Sequence, residues 1–212
     1  IEAVATEIEG FAHVSDVTDE DQVKALFGIC DRTYGRLDIL VNSAADRGPV
    51  MPIEEMDVAG WDETMALNIG GIFLCTKHAI PFLKRQGGSV INLSSVSGLK
   101  GKATRGPHAA SKSAVNGFTQ AVAFELGQWG IRINALCPGG VAGERCVMSQ
   151  TLRAKVLGTT AEALIKSGYT DTAALDRLVE PGEVASAALF LASDAASAIT
   201  GELLVVDCGR LL

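Results

Sequence analysis

Four clusters of small and polar residues each follow a short apolar run: Asp16-Val17, Asn42-Ser43-Ala44-Ala45, Ser94-Ser95 and Pro138-Gly139-Gly140-Val141. Small side chains let a flat ligand lie close to the backbone, and Asn42 can hydrogen-bond either backbone or ligand. One such cluster is no more than a turn needs. Four after successive runs suit an open α/β sheet, in which ligands bind beyond the carboxyl ends of the strands. Other reactive residues are sparse. Cys30, Cys75, Cys137, Cys146 and Cys208 are odd in number and widely spaced, with no Cys-x-x-Cys, which argues against a disulfide framework or a thiolate metal site. They read as buried free thiols in a reducing, cytoplasmic setting. His13, His78 and His108 have no partners at ligand spacing, so no metal is expected.

The elements that must carry these clusters alternate. A short strand is expected at 11–14. Thr18 with Asp21 reads as a capping pair opening a helix to about Tyr34, which Gly35 ends. Residues 37–41 form an apolar run broken only by Asp38, as in a strand buried on both faces. A helical pattern covers 60–86, with Pro81 as a kink. The next strand is 89–93. Pro107 suits a helix start, and that helix runs to about Trp129. Strand 131–136, a mixed helical insert at 143–179, a helix at 181–192 and a strand at 203–206 follow. Strand and helix in strict alternation predict an α/β fold, a doubly wound parallel sheet with helices on both faces.

The chain has 212 residues, 48% hydrophobic, and reads as a single domain, 1–212. A net charge of -7 and a pI near 5.0 argue against nucleic acid and anionic membranes as partners. No stretch approaches the roughly 20 apolar residues of a membrane span, and no signal-peptide pattern opens the chain.

From Asp16 to Gly209 the sequence resembles the short-chain dehydrogenase/reductase family. Gly35-Arg36-Leu37-Asp38-Ile39-Leu40-Val41-Asn42-Ser43-Ala44-Ala45 is similar to the family segment ending in Asn-Asn-Ala-Gly, with two substitutions. Ile91-Asn92-Leu93-Ser94-Ser95 resembles the strand delivering the catalytic serine, and its spacing to the later motif selects Ser95. Ala109-Ala110-Ser111-Lys112 resembles the second half of Tyr-x-x-x-Lys. Residues 131–139 resemble the strand and turn beside the nicotinamide, and 199–209 the C-terminal strand and its flanks.

The resemblance implies a Rossmann-like fold and an NAD- or NADP-dependent oxidoreductase that interconverts a secondary alcohol and a ketone, assembled as a homotetramer or homodimer. It implies catalytic roles for Ser95, which orients the substrate oxygen, for Lys112, which holds the nicotinamide ribose, and for Asn68, which supports a proton-relay water. It places Asp16, Val17, Asn42, Ala44, Lys112, Pro138, Gly139 and Val141 around the cofactor. It makes the insert a lid over substrate, and Leu152, Val156, Leu157, Leu164 and Tyr169 suggest a partly apolar wall.

Two departures stand out. His108 replaces the motif tyrosine, and Ala142-Gly143 replaces the threonine after Pro-Gly. His108 and Lys112 lie one helical turn apart and face the same side. The Lys112 cation and the helix N-terminus are expected to keep His108 neutral, leaving a weakened enzyme biased towards alcohol oxidation. The alternative is a catalytically silent cofactor-binding or regulatory protein of the same fold. The glycine-rich phosphate turn is found nowhere in the 212 residues. The opening, residues 1–8, reads as the end of a helix already under way. A first βαβ unit, with the residue that selects NAD or NADP, is therefore expected ahead of Ile1. Without it the strand at 11–14 lacks a neighbour, and the strand after it shows a bare edge.

Overall fold

The aliphatic runs between glycine and Ser/Asp breaks become a parallel sheet. In the computed structural model, which describes residues 1–212, a short α1 (Glu2–Glu7) and then α2 (Glu20–Tyr34) precede β1 (Ile39–Asn42). Parallel strands require crossover connections. The first holds α3 (Val58–Met65), a π-helical turn (Ala66–Gly70) and α4 (Gly71–Leu83), and leads to β2 (Gly88–Leu93). The second is α5 (Gly106–Leu126), leading to β3 (Ile131–Pro138). The third holds α6 (Glu144–Leu157), α7 (Ala161–Ile165) and α8 (Pro181–Ala192), and leads to β4 (Leu203–Val206). The four strands pair in the order β1-β2-β3-β4.

Successive strand residues point to opposite faces. Val90 and Ile91 of β2 are both fully buried, so both faces are covered. Val90 joins Val23 and Phe27 of α2, Ala79 and Leu83 of α4 and Val122 of α5 on one side. Ile91 joins Leu136, Leu191 of α8 and Ala196 on the other. This is the expected doubly wound arrangement, and each such buried aliphatic chain contributes roughly 1.5–3 kcal/mol.

A polar ladder crosses this core. Asn42 and Asn92 are register partners in β1 and β2. The Asn42 amide donates to Asn92 Oδ1 (2.8 Å) and Thr76 Oγ1 (3.3 Å). The Asn92 amide donates to Thr119 Oγ1 (2.9 Å), which donates to the Val115 carbonyl (2.8 Å). Buried polar groups are thus paired among themselves.

Several expectations need correction. Residues 11–14 form no strand, and Phe11 and Val14 stand 58% and 82% exposed. An apolar run becomes a strand only beside a pairing partner, and none of the four strands lies next to it. The cap of α2 is Asp19, which accepts from the Asp21 and Gln22 amides (2.9 and 3.2 Å), while Thr18 is held by Asp16. A carboxylate at the positive end of the helix outcompetes the hydroxyl. The strand expected at 37–41 starts at Ile39. The helix expected over 60–86 spans Val58–Leu83 with a π turn inside it, and Pro81 lies in its last turn. By length and composition alone, this 26-residue run, with an 18-residue window of mean hydropathy 1.3, is long and apolar enough to cross a membrane. Here its Cys75, Ala79 and Leu83 pack into the core. All five cysteines are free, but only Cys75 and Cys137 are buried.

Candidate active site

At the carboxyl end of β2 the chain enters a single 3-10 turn, Val96–Gly98, packed directly on α5. A Cβ added at Gly98 would lie 2.6 Å from the Lys112 carbonyl carbon, so the turn reaches α5 only because this residue has no side chain. The contact separates the roles of the two serines. Ser94 Oγ lies 2.6 Å from Asn116 Oδ1 and 3.1 Å from the Lys112 carbonyl, so its one proton is committed inside the protein. Ser95 Oγ accepts from the Ser97 amide (3.1 Å) and keeps its own proton for another partner.

Helix α5 supplies the other two groups. Pro107 sits in its first turn, where the missing N–H is no loss. Lys112 is buried, and its ammonium donates to the Leu93 carbonyl at the end of β2 (2.6 Å). Burial, with Arg145 nearby, pushes it down to about 8. His108 is pushed down to about 3, first by burial, then by Arg105 and only then by Lys112. Burial and Arg105 therefore replace the Lys112 cation as the leading causes. The direction agrees with the neutral imidazole expected at this position. Its Nδ1 is buried without a partner.

Asn68 lies on the π turn. Its amide donates to the Asp46 carbonyl (2.8 Å) and to Ser111 Oγ (3.0 Å), and its Oδ1 accepts from the Asp46 N–H (2.8 Å). Both side-chain donors are thus spent on protein groups. A π turn widens the helix by one residue and is frequent at functional sites. Here it aims Asn68 between the loop after β1 and helix α5.

Ser95, His108 and Lys112 line one cleft of about 470 Å³, together with Pro138, Gly139 and Val141. Asn68 stands behind its wall. Four residues expected around the cofactor do not line it. Val17, Asn42 and Ala44 face a separate hollow of about 150 Å³ between α2, β1 and α4. Both Asn42 donors belong to the core ladder. Asp16 is exposed and accepts from the Thr18 N–H and hydroxyl (2.9 and 2.7 Å), as a turn former does, and these bonds hold its carboxyl below its usual range.

The insert departs most from expectation. Its neck is tied by a parallel bridge between Val141 and Val179. Its cleft wall is polar: Cys146, Ser149, Gln150 and Arg153 of α6 face inward, while Val156 and Leu157 are exposed and Leu152 faces another hollow. The spacing 146, 149, 150, 153 is one helical face. That signal was in the sequence, beside the apolar residues that drew attention to the opposite face. Tyr169 lines the cleft, and Gln150 donates to its hydroxyl (3.3 Å). Burial raises its phenol above the usual range.

A family model described as enoyl-(acyl carrier protein) reductase matches residues 1–210. Cis-4-hydroxycyclohexanecarboxylate dehydrogenase of Sinomonas cyclohexanicum is 36% identical over 196 residues, which covers 92% of this chain and 74% of that protein. L-fucose dehydrogenase of Oryctolagus cuniculus is 36% identical over 210 residues, covering 99% of this chain and 72% of that one. A solved structure of NAD+-bound xylitol dehydrogenase superposes with a TM-score of 0.92 at 25% identity, over 98% of this chain and 83% of its own. With this sheet, this cleft and these relatives, the chain belongs to the short-chain dehydrogenase/reductase family of oxidoreductases.

Proposed function

We propose that this oxidoreductase interconverts a secondary alcohol and a ketone with NAD or NADP. One observation carries the reading: a serine with an uncommitted proton, a residue at the acid–base position and a buried ammonium border the same cleft at the carboxyl edge of a parallel sheet. The residues present fit the nicotinamide-ribose end of such a cofactor. The side of the cleft formed by Ser43, Ala45 and the Pro138–Val141 turn carries only small side chains, Lys112 offers ammonium protons, and His108, which lines the cleft, has a buried Nδ1 without a partner. No residue cluster in the chain offers a glycine-rich turn for the pyrophosphate.

The bound cofactor supplies or accepts the hydride. Ser95 donates its hydroxyl proton to the substrate oxygen and orients it. Lys112, anchored on Leu93, holds the ribose hydroxyls. His108 stands where a proton must be given or taken, and its neutrality makes that exchange slow. Asn68 is a positioning residue that ties the loop carrying Asp46 to α5. The insert covers the substrate. Reduced nicotinamide consumption by the full chain, tested against a panel of cyclic and sugar ketones, checks the reading. Ser95→Ala is expected to lower the rate by about 10²-fold or more. Failure of every ketone together with failure to bind either cofactor would overturn it.

The low value of His108 favours a second reading, a catalytically silent cofactor-binding protein. Its signature is quenching of tryptophan fluorescence by reduced nicotinamide without any turnover.

We also propose a homodimer or homotetramer joined through α4 and α5. Phe73 and Phe124 support this, standing 47% and 91% exposed on those helices. Light scattering should give a multiple of the 22.1 kDa chain mass, and Phe124→Glu should lower it. A monomeric unchanged chain would refute the assembly.

A further inference from the structure

We infer that the substrate carries an anionic group, a carboxylate or a phosphate, which docks on Arg105, Arg153 and Lys102 at the α6 end of the cleft. The identity of this ligand as substrate rests on the oxidoreductase reading; the anion site itself does not.

The three cations come from different elements. Lys102 lies on the loop after β2, Arg105 caps the start of α5, and Arg153 lies on α6. Arg105 and Arg153 are 9% and 7% exposed. Each is steadied by a neutral group: Arg105 donates to Ser149 Oγ (2.7 Å) and Arg153 to Gln150 Oε1 (2.9 Å). In both, the Nε–H is buried with no partner. Lys102 donates to the Gly168 carbonyl (3.3 Å), with its ammonium 3.7 Å from the centre of the Tyr169 ring.

No carboxylate lies within ion-pair reach of any of the three; the ion pairs of the molecule are all elsewhere. Asp46 is the only acid lining the cleft, against Arg47, Lys102, Arg105, Lys112, Arg145 and Arg153. The imbalance arises in a chain of net charge -7, which has acids to spare. The cations also oppose one another. Burial, then Arg210, Arg153 and Arg105, push Lys102 down to about 7.

A buried guanidinium without a counter-charge is costly. Arginines that serve only the core are ordinarily paired, and these are not. The missing charge is expected from a ligand, and the planar fork of a guanidinium matches carboxylate and phosphate oxygens. Ser95 and His108 border the same cleft, so one molecule could place its carbinol carbon at one end and its anion at the other.

The test uses the full chain and two matched pairs of probes in calorimetric titrations. 4-Oxocyclohexanecarboxylate is compared with its methyl ester, and dihydroxyacetone phosphate with dihydroxyacetone. At least one anion should bind about 10-fold or more tightly than its neutral counterpart, and the pair that discriminates identifies carboxylate or phosphate. Arg153→Gln and Lys102→Gln should each collapse that ratio. If Arg153→Gln does not fold, Lys102→Gln decides. Equal binding of charged and neutral members in both pairs, including none at all, would overturn the inference, as would a ratio that survives the substitutions. Discrimination by a chain that turns over no ketone and binds neither cofactor would leave the anion site standing and remove the alcohol–ketone reading. Turnover without discrimination would do the reverse.

Discussion

Changing His108 to tyrosine should raise the rate of ketone reduction by about 10²–10⁴-fold, the range a positioned acid–base group supplies. The expectation follows from what surrounds the imidazole. Burial, Arg105 and Lys112 hold it down to about 3, so at neutral pH it has no imidazolium proton to give and takes one weakly. A phenol at the same position has a proton to donate, and cations nearby favour its ionised form. Steady-state rates for the two proteins, with the same ketone and reduced nicotinamide, decide the matter. Equal rates would mean that His108 is no handicap.

The same substitution has a stability signature. The folded-state value lies below the ordinary 6.5, so the unfolded chain binds the extra proton first. Above pH 6.5 the group contributes no pH dependence. As pH falls from 6.5 towards 3, stability drops by up to about 1.4 kcal/mol per pH unit. His108→Tyr should flatten this acid slope in denaturant titrations.

Lys112→Met should abolish most turnover, by about 10²-fold or more, while shifting the unfolding midpoint little. The two readouts separate because the ammonium is held at a cost. Its folded value is about 8 against an ordinary 10.5. The unfolded chain therefore binds more protons between pH 8 and 10.5, and stability rises with pH through that window. Below pH 8 the full cost is present, and methionine relieves it. Opposing this, the Leu93 carbonyl loses its donor, worth about 1–3 kcal/mol. In the unchanged protein, the KM for cofactor should also climb above pH 8 as the ammonium is lost. A loss of activity matched by a comparable loss of stability would make Lys112 a structural residue only.

Local pattern was enough for the strands at 39–42, 88–93, 131–138 and 203–206, to within about two residues at their ends, because each is a short apolar run bounded by turn residues. It was also enough to bring Ser95, His108 and Lys112 to one place, since strand end and helix turn fix them within short segments. It failed where a partner decides the outcome. Residues 11–14 have the composition of a strand and nothing to pair with. Asn42 has the right position for a ligand contact, yet Asn92, fifty residues on, takes its amide. Arg105, Arg153 and Lys102 border one cleft only once α6 reaches the start of α5, and no spacing in the chain announces that. The inward face of α6 was readable by helical period, but apolar residues on the other side suggested a wall of a different character.

The paired asparagines of β1 and β2 bear on how this molecule reaches its structure. Aliphatic parallel strands are nearly interchangeable along their length, and a shifted alignment can bury as much hydrocarbon as the native one. Asn42 beside Asn92 breaks that degeneracy. A misalignment would part the Asn42 amide from Asn92 and leave buried carboxamides unpaired, so the asparagines act as a proofreading mark for strand assembly.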